Sequence, residues 1–221
     1  MMTNTAPFLK KGALVAAGVF FLAACTGDGS AQSESSPELN TCRELLGREG
    51  VDAARRAVGG GEVRAEAPVS ARKLADTMAG EARVRAADGE DLDRRSYEPC
   101  RLSGSTADTR VVTRAKWSVL TMDSVSEGKL AVQWREAAKD VYVHETDGGD
   151  RVALLVTCQV PEAPASQREG VPLEVEVSRA GAADGDARLP ARLALSLAGN
   201  LRGLLGCTDT VTVPTALPGQ G

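Results

Sequence analysis

The run VYVHETDGGDRVALLVTCQV, residues 141–160, decides the fold class. Val141–Thr146 and Arg151–Val160 are rich in β-formers, and Asp147-Gly148-Gly149 between them supplies the positive φ angles of a tight turn, so the run reads as a β-hairpin. On its second strand Val152, Leu154, Val156, Cys158 and Val160 share one face, which turns Cys158 inward. Period-two alternation continues on both sides of the hairpin. Val111, Ala115, Trp117 and Val119 alternate with Arg110, Arg114, Lys116 and Ser118; Leu130, Val132 and Trp134 alternate with Lys129, Gln133 and Arg135. Val171, Leu173, Val175 and Val177 against Pro172, Glu174, Glu176 and Ser178 give a strand with one wet face. Glu62 to Ala67 reads as a further strand, and Thr208 to Pro214 as a closing one, with the tail loose from Leu217.

Helical spacing appears at the two ends. Thr41 and Glu44 have capping-box spacing ahead of Leu45-Leu46, so a short helix is expected to begin near Asn40 and to carry Cys42. Val51, Ala54 and Val58 line one side of a second helix that ends at Gly59-Gly60-Gly61. No Lys-Ser or Lys-Thr follows these glycines, so they are not a phosphate loop. Ser70 caps a third helix, with Ala71, Leu74, Ala75, Met78 and Ala82 as its buried stripe. The last helix starts near Leu189, with Pro190 in its first turn, stacks Leu193, Leu197, Leu201 and Leu204, and stops at Gly206. Residues 39–216 are therefore expected to form an α+β domain: a mostly antiparallel sheet with helices on one face, with two similar lobes, 39–125 and 126–216, as a further option.

The N-terminus sets the expected location. Lys10-Lys11, the apolar run Gly12–Ala24 and the small residues before Cys25 make 1–24 a secretory signal. As a helix, Gly12–Ala24 reaches only about 20 Å, short of the roughly 30 Å hydrocarbon core. From Cys25 to Glu38 the chain is polar and without periodicity, a flexible tether with a typical reach of ~20 Å. Removal of Lys10 and Lys11 takes the formal charge from −4 to −6. That total argues against nucleic acid or anionic lipid as a partner. Phe8, Phe20 and Phe21 leave too, so the core must be built mainly from Leu, Val and Ala.

The cysteine count carries architecture. With Cys25 set aside, Cys42, Cys100, Cys158 and Cys207 are an even set in an oxidising compartment, which allows three pairings. A weak repeat, in which Cys100-Arg101-Leu102 and Cys158-Gln159-Val160 each precede a polar loop and a strand, favours Cys42–Cys100 with Cys158–Cys207. Zinc is the other reading of four cysteines, but there is no C-x-x-C pair and His144 is the only histidine, so no metal is expected. Asp88, Glu90, Asp91 and Asp93 miss calcium-loop spacing and sit beside Arg94-Arg95, which reads as a solvated loop. His144 lies on the polar side of its strand, and no G-x-S-x-G or H-E-x-x-H motif is present. Neither an enzyme nor a cofactor is expected.

The tetrad Leu22-Ala23-Ala24-Cys25 resembles the bacterial lipobox. The resemblance implies a lipoprotein whose Cys25 thiol carries a diacylglyceryl group and becomes the mature N-terminus. In overall layout the chain resembles cell-surface lipoproteins of high-GC Gram-positive (actinobacterial) bacteria that are filed as domains of unknown function. That layout is the lipobox, a polar tether, the Cys42-Arg43-Glu44-Leu45-Leu46 helix, sheet cysteines and a Leu/Ala helix closing on Gly206-Cys207. The resemblance implies a protein held on the extracytoplasmic face of the cell membrane by the lipid on Cys25, and brings no catalytic residues. The expected role is a non-catalytic module that binds a protein or cell-wall partner. The alternatives are a carrier of a small apolar ligand, or an uncharacterised cell-envelope hydrolase.

Overall fold

A computed structural model describes residues 36–85, 95–106, 108–128, 130, 132–165, 167, 170–181 and 186–218. The chain first forms α1 (Pro37–Leu46). Its cap is Ser36, whose hydroxyl accepts from Leu39 N–H, with Pro37 and Glu38 in the first turn. Thr41 is not the cap: it lies inside the helix and donates its hydroxyl hydrogen bond to the Pro37 carbonyl. The expected tether 25–38 thus overlaps the helix at Pro37 and Glu38, because burial of Leu39 rewards an earlier start; 25–35 lie outside the described residues. After Gly47 comes α2 (Arg48–Ala57), with Val51, Ala54 and Val58 buried as expected. Next are β1 (Arg64–Glu66) and α3 (Ala71–Arg85). Ser70 accepts from Lys73 N–H at the start of α3, and all of Ala71, Leu74, Ala75, Met78 and Ala82 are buried.

The remaining elements are β2 (Arg101–Ser103), β3 (Arg110–Trp117), α4 (Met122–Ser126), β4 (Arg135–Ala138), β5 (Val141–Thr146), β6 (Arg151–Val156), β7 (Leu173–Ala180) and α5 (Leu189–Leu205). The seven strands form one antiparallel sheet in the order β1-β2-β3-β7-β6-β5-β4. The β5–β6 hairpin turns through Gly148 and Gly149 at φ 67° and 94°, as its sequence requires. Helices α1, α3 and α5 cover one face, over Val111, Ala115, Trp117, Leu154, Leu173, Val175 and Val177. Trp117 is anchored by donating its indole N–H to the Met78 carbonyl of α3.

Several expected strands fall short. Arg151–Val160 ends as a strand at Val156, and Val119 is exposed because β3 stops at Trp117. Leu130, Val132 and Trp134 form no strand: Val132 is 91% exposed, and Trp134 packs with Met122, Val125, Ala153 and Leu155 in a small second core. That cluster lies on the side of the sheet opposite the helices, since Ala153 and Leu155 alternate with the inward Leu154. Thr208–Pro214 is irregular rather than a strand, and Leu217, expected in a loose tail, is buried in the main core. Nor do 39–125 and 126–216 separate as lobes. β7 inserts between β3 and β6, pairing with β3 from Arg110↔Ala180 to Trp117↔Leu173, and one core draws on both halves.

Candidate functional site

The sulfurs come first, because they frame every surface. Cys42 on α1 is bonded to Cys100 just before β2, with 5.3 Å between Cα atoms. Cys158 beyond β6 is bonded to Cys207 beyond α5, at 5.0 Å. Both separations suit unstrained bridges. Each bridge ties a helix to the sheet. Cys25, the expected lipid site, and the acidic run Asp88, Glu90, Asp91 and Asp93 lie outside the described residues. Gly59 and Gly60 take positive φ in the turn after α2, which is a chain-reversal role. His144 is half-buried on β5 with its ring centroid 5.4 Å from that of Trp134, so it belongs to the rim of the second core. Tyr142 sits beside the same core, where burial pushes its hydroxyl pKa upward. Among the described residues no group of three His, Cys, Asp or Glu side chains could hold a metal ion.

Beside the second bridge lies a buried ion pair that sequence reading missed. Arg202 on α5 donates to Asp209 at 2.7 Å, to the Val211 carbonyl and to the Thr157 carbonyl. Asp209 also accepts from Gln159 N–H at 2.7 Å and from Val211 N–H. Burial pushes the Asp209 pKa up, but the Arg202 hydrogen bond and charge and the two N–H donors outweigh it and hold the carboxyl below its usual range. Arg202 thus replaces the expected closing strand: the segment after Cys207 is held by side-chain bonds instead of a ladder. Between α2, α5 and this segment runs an open cleft of about 320 Å³. Leu189, Leu193, Val213 and Pro214 give it apolar walls, with Glu49, Arg192 and Asn200 at its polar positions.

A charged array lies on the side of the sheet that carries no main helix layer. Strand pairing aligns Arg64 and Glu66 of β1, Arg101 of β2, Arg110, Arg114 and Lys116 of β3, Glu174 and Glu176 of β7, and Arg151 of β6 on this one face. Six cations therefore meet three glutamates of the strands and Glu98, which accepts from Arg101 at 2.7 Å. Glu176 accepts from Arg114 at 2.7 Å through one oxygen and from Arg151 at 2.6 and 2.8 Å through the other. Glu174 holds Lys116 at 3.0 Å and accepts from the Ser118 hydroxyl at 2.8 Å. Beneath the arginines Val112 is buried, which closes the face to apolar partners at that point. Arg114, Lys116, Arg151 and Ser96 surround a recess of about 110 Å³ floored by the two glutamates. The alternation in Arg110–Lys116 and Leu173–Ser178 marks these side chains as solvent-facing in the sequence. What it does not show is that β7 lies against β3 and β6 and so gathers the charges.

Comparison with known protein families, with curated proteins and with solved structures finds no match for this chain.

Proposed function

We propose that the chain is an extracytoplasmic lipoprotein held on the membrane through Cys25, and that it acts as a non-catalytic binding module whose partner docks on the open face of the sheet. The observation that carries the reading is the charged array itself. Two glutamates, each 12% exposed at the side chain, hold three longer cationic side chains at fixed positions on a part of the sheet that carries no main helix layer among the described residues. Exposed ion pairs contribute little stability, about 0–1 kcal/mol each, so stability alone is a weak reason for such an array. Order of this kind lowers the entropy that a partner's binding must overcome. Two acyl chains on Cys25 are about what stable anchoring needs. The test is crosslinking and capture from native membranes with the lipid intact. Wild type should fractionate with membranes, carry a diacylglyceryl mass and retain a crosslinked partner that the Arg114→Gln/Arg151→Gln variant loses. Cys25→Ser should appear in the soluble fraction; full membrane retention of that variant, with no lipid on wild type, would refute the anchor.

The cleft between α2 and α5 favours a second reading, a carrier of a small apolar ligand. Gly199 lines it with open space above its backbone. Gly199→Trp should therefore fill the cleft and abolish uptake of a hydrophobic dye; equal uptake by both forms would remove the carrier reading.

A further inference from the structure

The geometry points to a linear, phosphate-bearing polyanion as the occupant of the open sheet face, an inference that rests on the binding-module reading and names its partner's chemistry. Positive charge is concentrated there although the chain as a whole is acidic, at −4. Arg64, Arg101, Arg110, Arg114, Lys116 and Arg151 are spread over β1, β2, β3 and β6, with Glu66 of β1, Glu174 and Glu176 of β7 and, against Arg101, Glu98 among them. The cations span five adjacent strands, roughly 19 Å at about 4.8 Å per strand. At physiological salt the Debye length is about 8 Å, so acidic residues elsewhere on the molecule are largely screened from a chain lying on this face. The local excess of cations, not the total, sets the attraction.

The shape of the face selects among anions. The outward positions on β1, β2, β3 and β7 carry no aromatic side chain, and their one large apolar group, Val112, is buried; Leu155, Trp134 and Tyr142, at the β6–β4 end of the same face, are packed together in the second core. A folded protein partner draws its affinity from buried aromatic and apolar anchors, which the β1-β2-β3-β7 part of this surface does not offer. An extended polymer needs only charges placed along its path. Carboxylates would offer Arg114, Lys116 and Arg151 nothing that Glu174 and Glu176 do not already supply. A phosphate brings a full charge on tetrahedrally arranged oxygens, and guanidinium donors not spent on Glu176 remain on Arg114, which uses Nη1 alone. The Arg110 side chain has no hydrogen-bond or ion-pair partner among the described residues and adds a further donor set on the same strand.

Titration of the full-length lipidated chain, in uncharged detergent, with long-chain inorganic polyphosphate tests this. Binding should weaken as salt rises, and Arg110→Gln/Arg114→Gln/Arg151→Gln should weaken it by about threefold per charge removed. The decisive variant has the opposite sign. Glu174→Gln/Glu176→Gln removes two negative charges from the floor of the recess, a gain that exceeds the loss of order in Arg114, Lys116 and Arg151, and should strengthen polyphosphate binding by a similar factor, whereas a purely structural ladder would leave it unchanged or weakened. Arg192→Gln, in the cleft on the helix side, should change nothing. Circular dichroism on each variant confirms folding. Absence of polyphosphate binding, equal binding of poly-L-glutamate, or binding left unchanged or weakened by the double glutamate variant each overturns the assignment. Failure of capture from membranes with polyphosphate binding intact would count against the anchored-module reading alone.

Discussion

At Asp209 a single carboxylate decides how the end of the chain is held. Its folded pKa is depressed, so its contribution to stability is present above the unfolded value of about 3.9 and is lost as pH falls through the lower folded value. Asp209→Asn leaves Arg202 buried without its counter-charge and is expected to cost about 3 kcal/mol at pH 7, the low end for stranding one member of a buried pair. The stability gap between the two proteins, measured by urea unfolding, should shrink below about pH 4; a constant gap down to pH 2 would show that Asp209 is not the titrating group. Two glycines make a second comparison. A Cβ on Gly104 would run into the Val58 carbonyl and Thr109, so Gly104→Ala should cost about 1–3 kcal/mol. Gly199 is inside α5 with open space above it, so Gly199→Ala should stabilise by about 0.5–1 kcal/mol. Thermal melts that rank the two variants the other way would contradict both placements.

Elements here are held by cross-links as much as by caps. The bridges close loops of 58 and 49 residues, each tying a helix to the sheet. Removal of either by paired Cys→Ala substitution should cost about 2–4 kcal/mol in urea unfolding. Non-reducing peptide mapping should return Cys42 linked to Cys100 and Cys158 linked to Cys207, and a Cys42–Cys207 peptide would contradict the fold. The Cys158–Cys207 bridge also sits beside the Arg202–Asp209 pair, so the two changes should not be additive, because both act on the segment after α5. The α5 helix was plain in its Leu spacing and its end at Gly206, which takes the left-handed φ of 68°. β4 was not. Its short run Arg135–Ala138 carries a bulge between Glu136 and Ala138, and the residues just before it form no strand, so that Val132 is exposed while Trp134 packs in the second core.

Across the whole molecule, β7 is the seam. Because it joins β3 on one side and β6 on the other, neither half owns a complete sheet. The protein is expected to unfold in one cooperative transition, with calorimetric and van't Hoff enthalpies equal. Separate expression of 36–125 and 126–218 should give two unfolded chains; a folded half, seen as dispersed amide NMR signals, would restore the two-lobe description. The same insertion produces the functional candidate. Arg114 and Arg151 are 37 positions apart in sequence and meet on Glu176 only because β7 lies between their strands.

Local information was enough for the parts whose physics is local. The hairpin followed from Asp147-Gly148-Gly149 between β-forming runs, α3 from Ser70 and its apolar stripe, and α5 from its leucines and Gly206, because turn chemistry and periodicity act over a few residues. The two disulfides followed from the cysteine count and a weak repeat. Strand order, by contrast, is chosen by which apolar faces can be buried together over long separations, and the insertion of β7 between β3 and β6 leaves no local mark. The start of α1 at Ser36, the burial of Leu217 and the Arg202–Asp209 pair depend on the same distant packing. Net charge is a property of composition, but the gathering of six cations on one sheet face is a property of register, and only the tertiary structure set it.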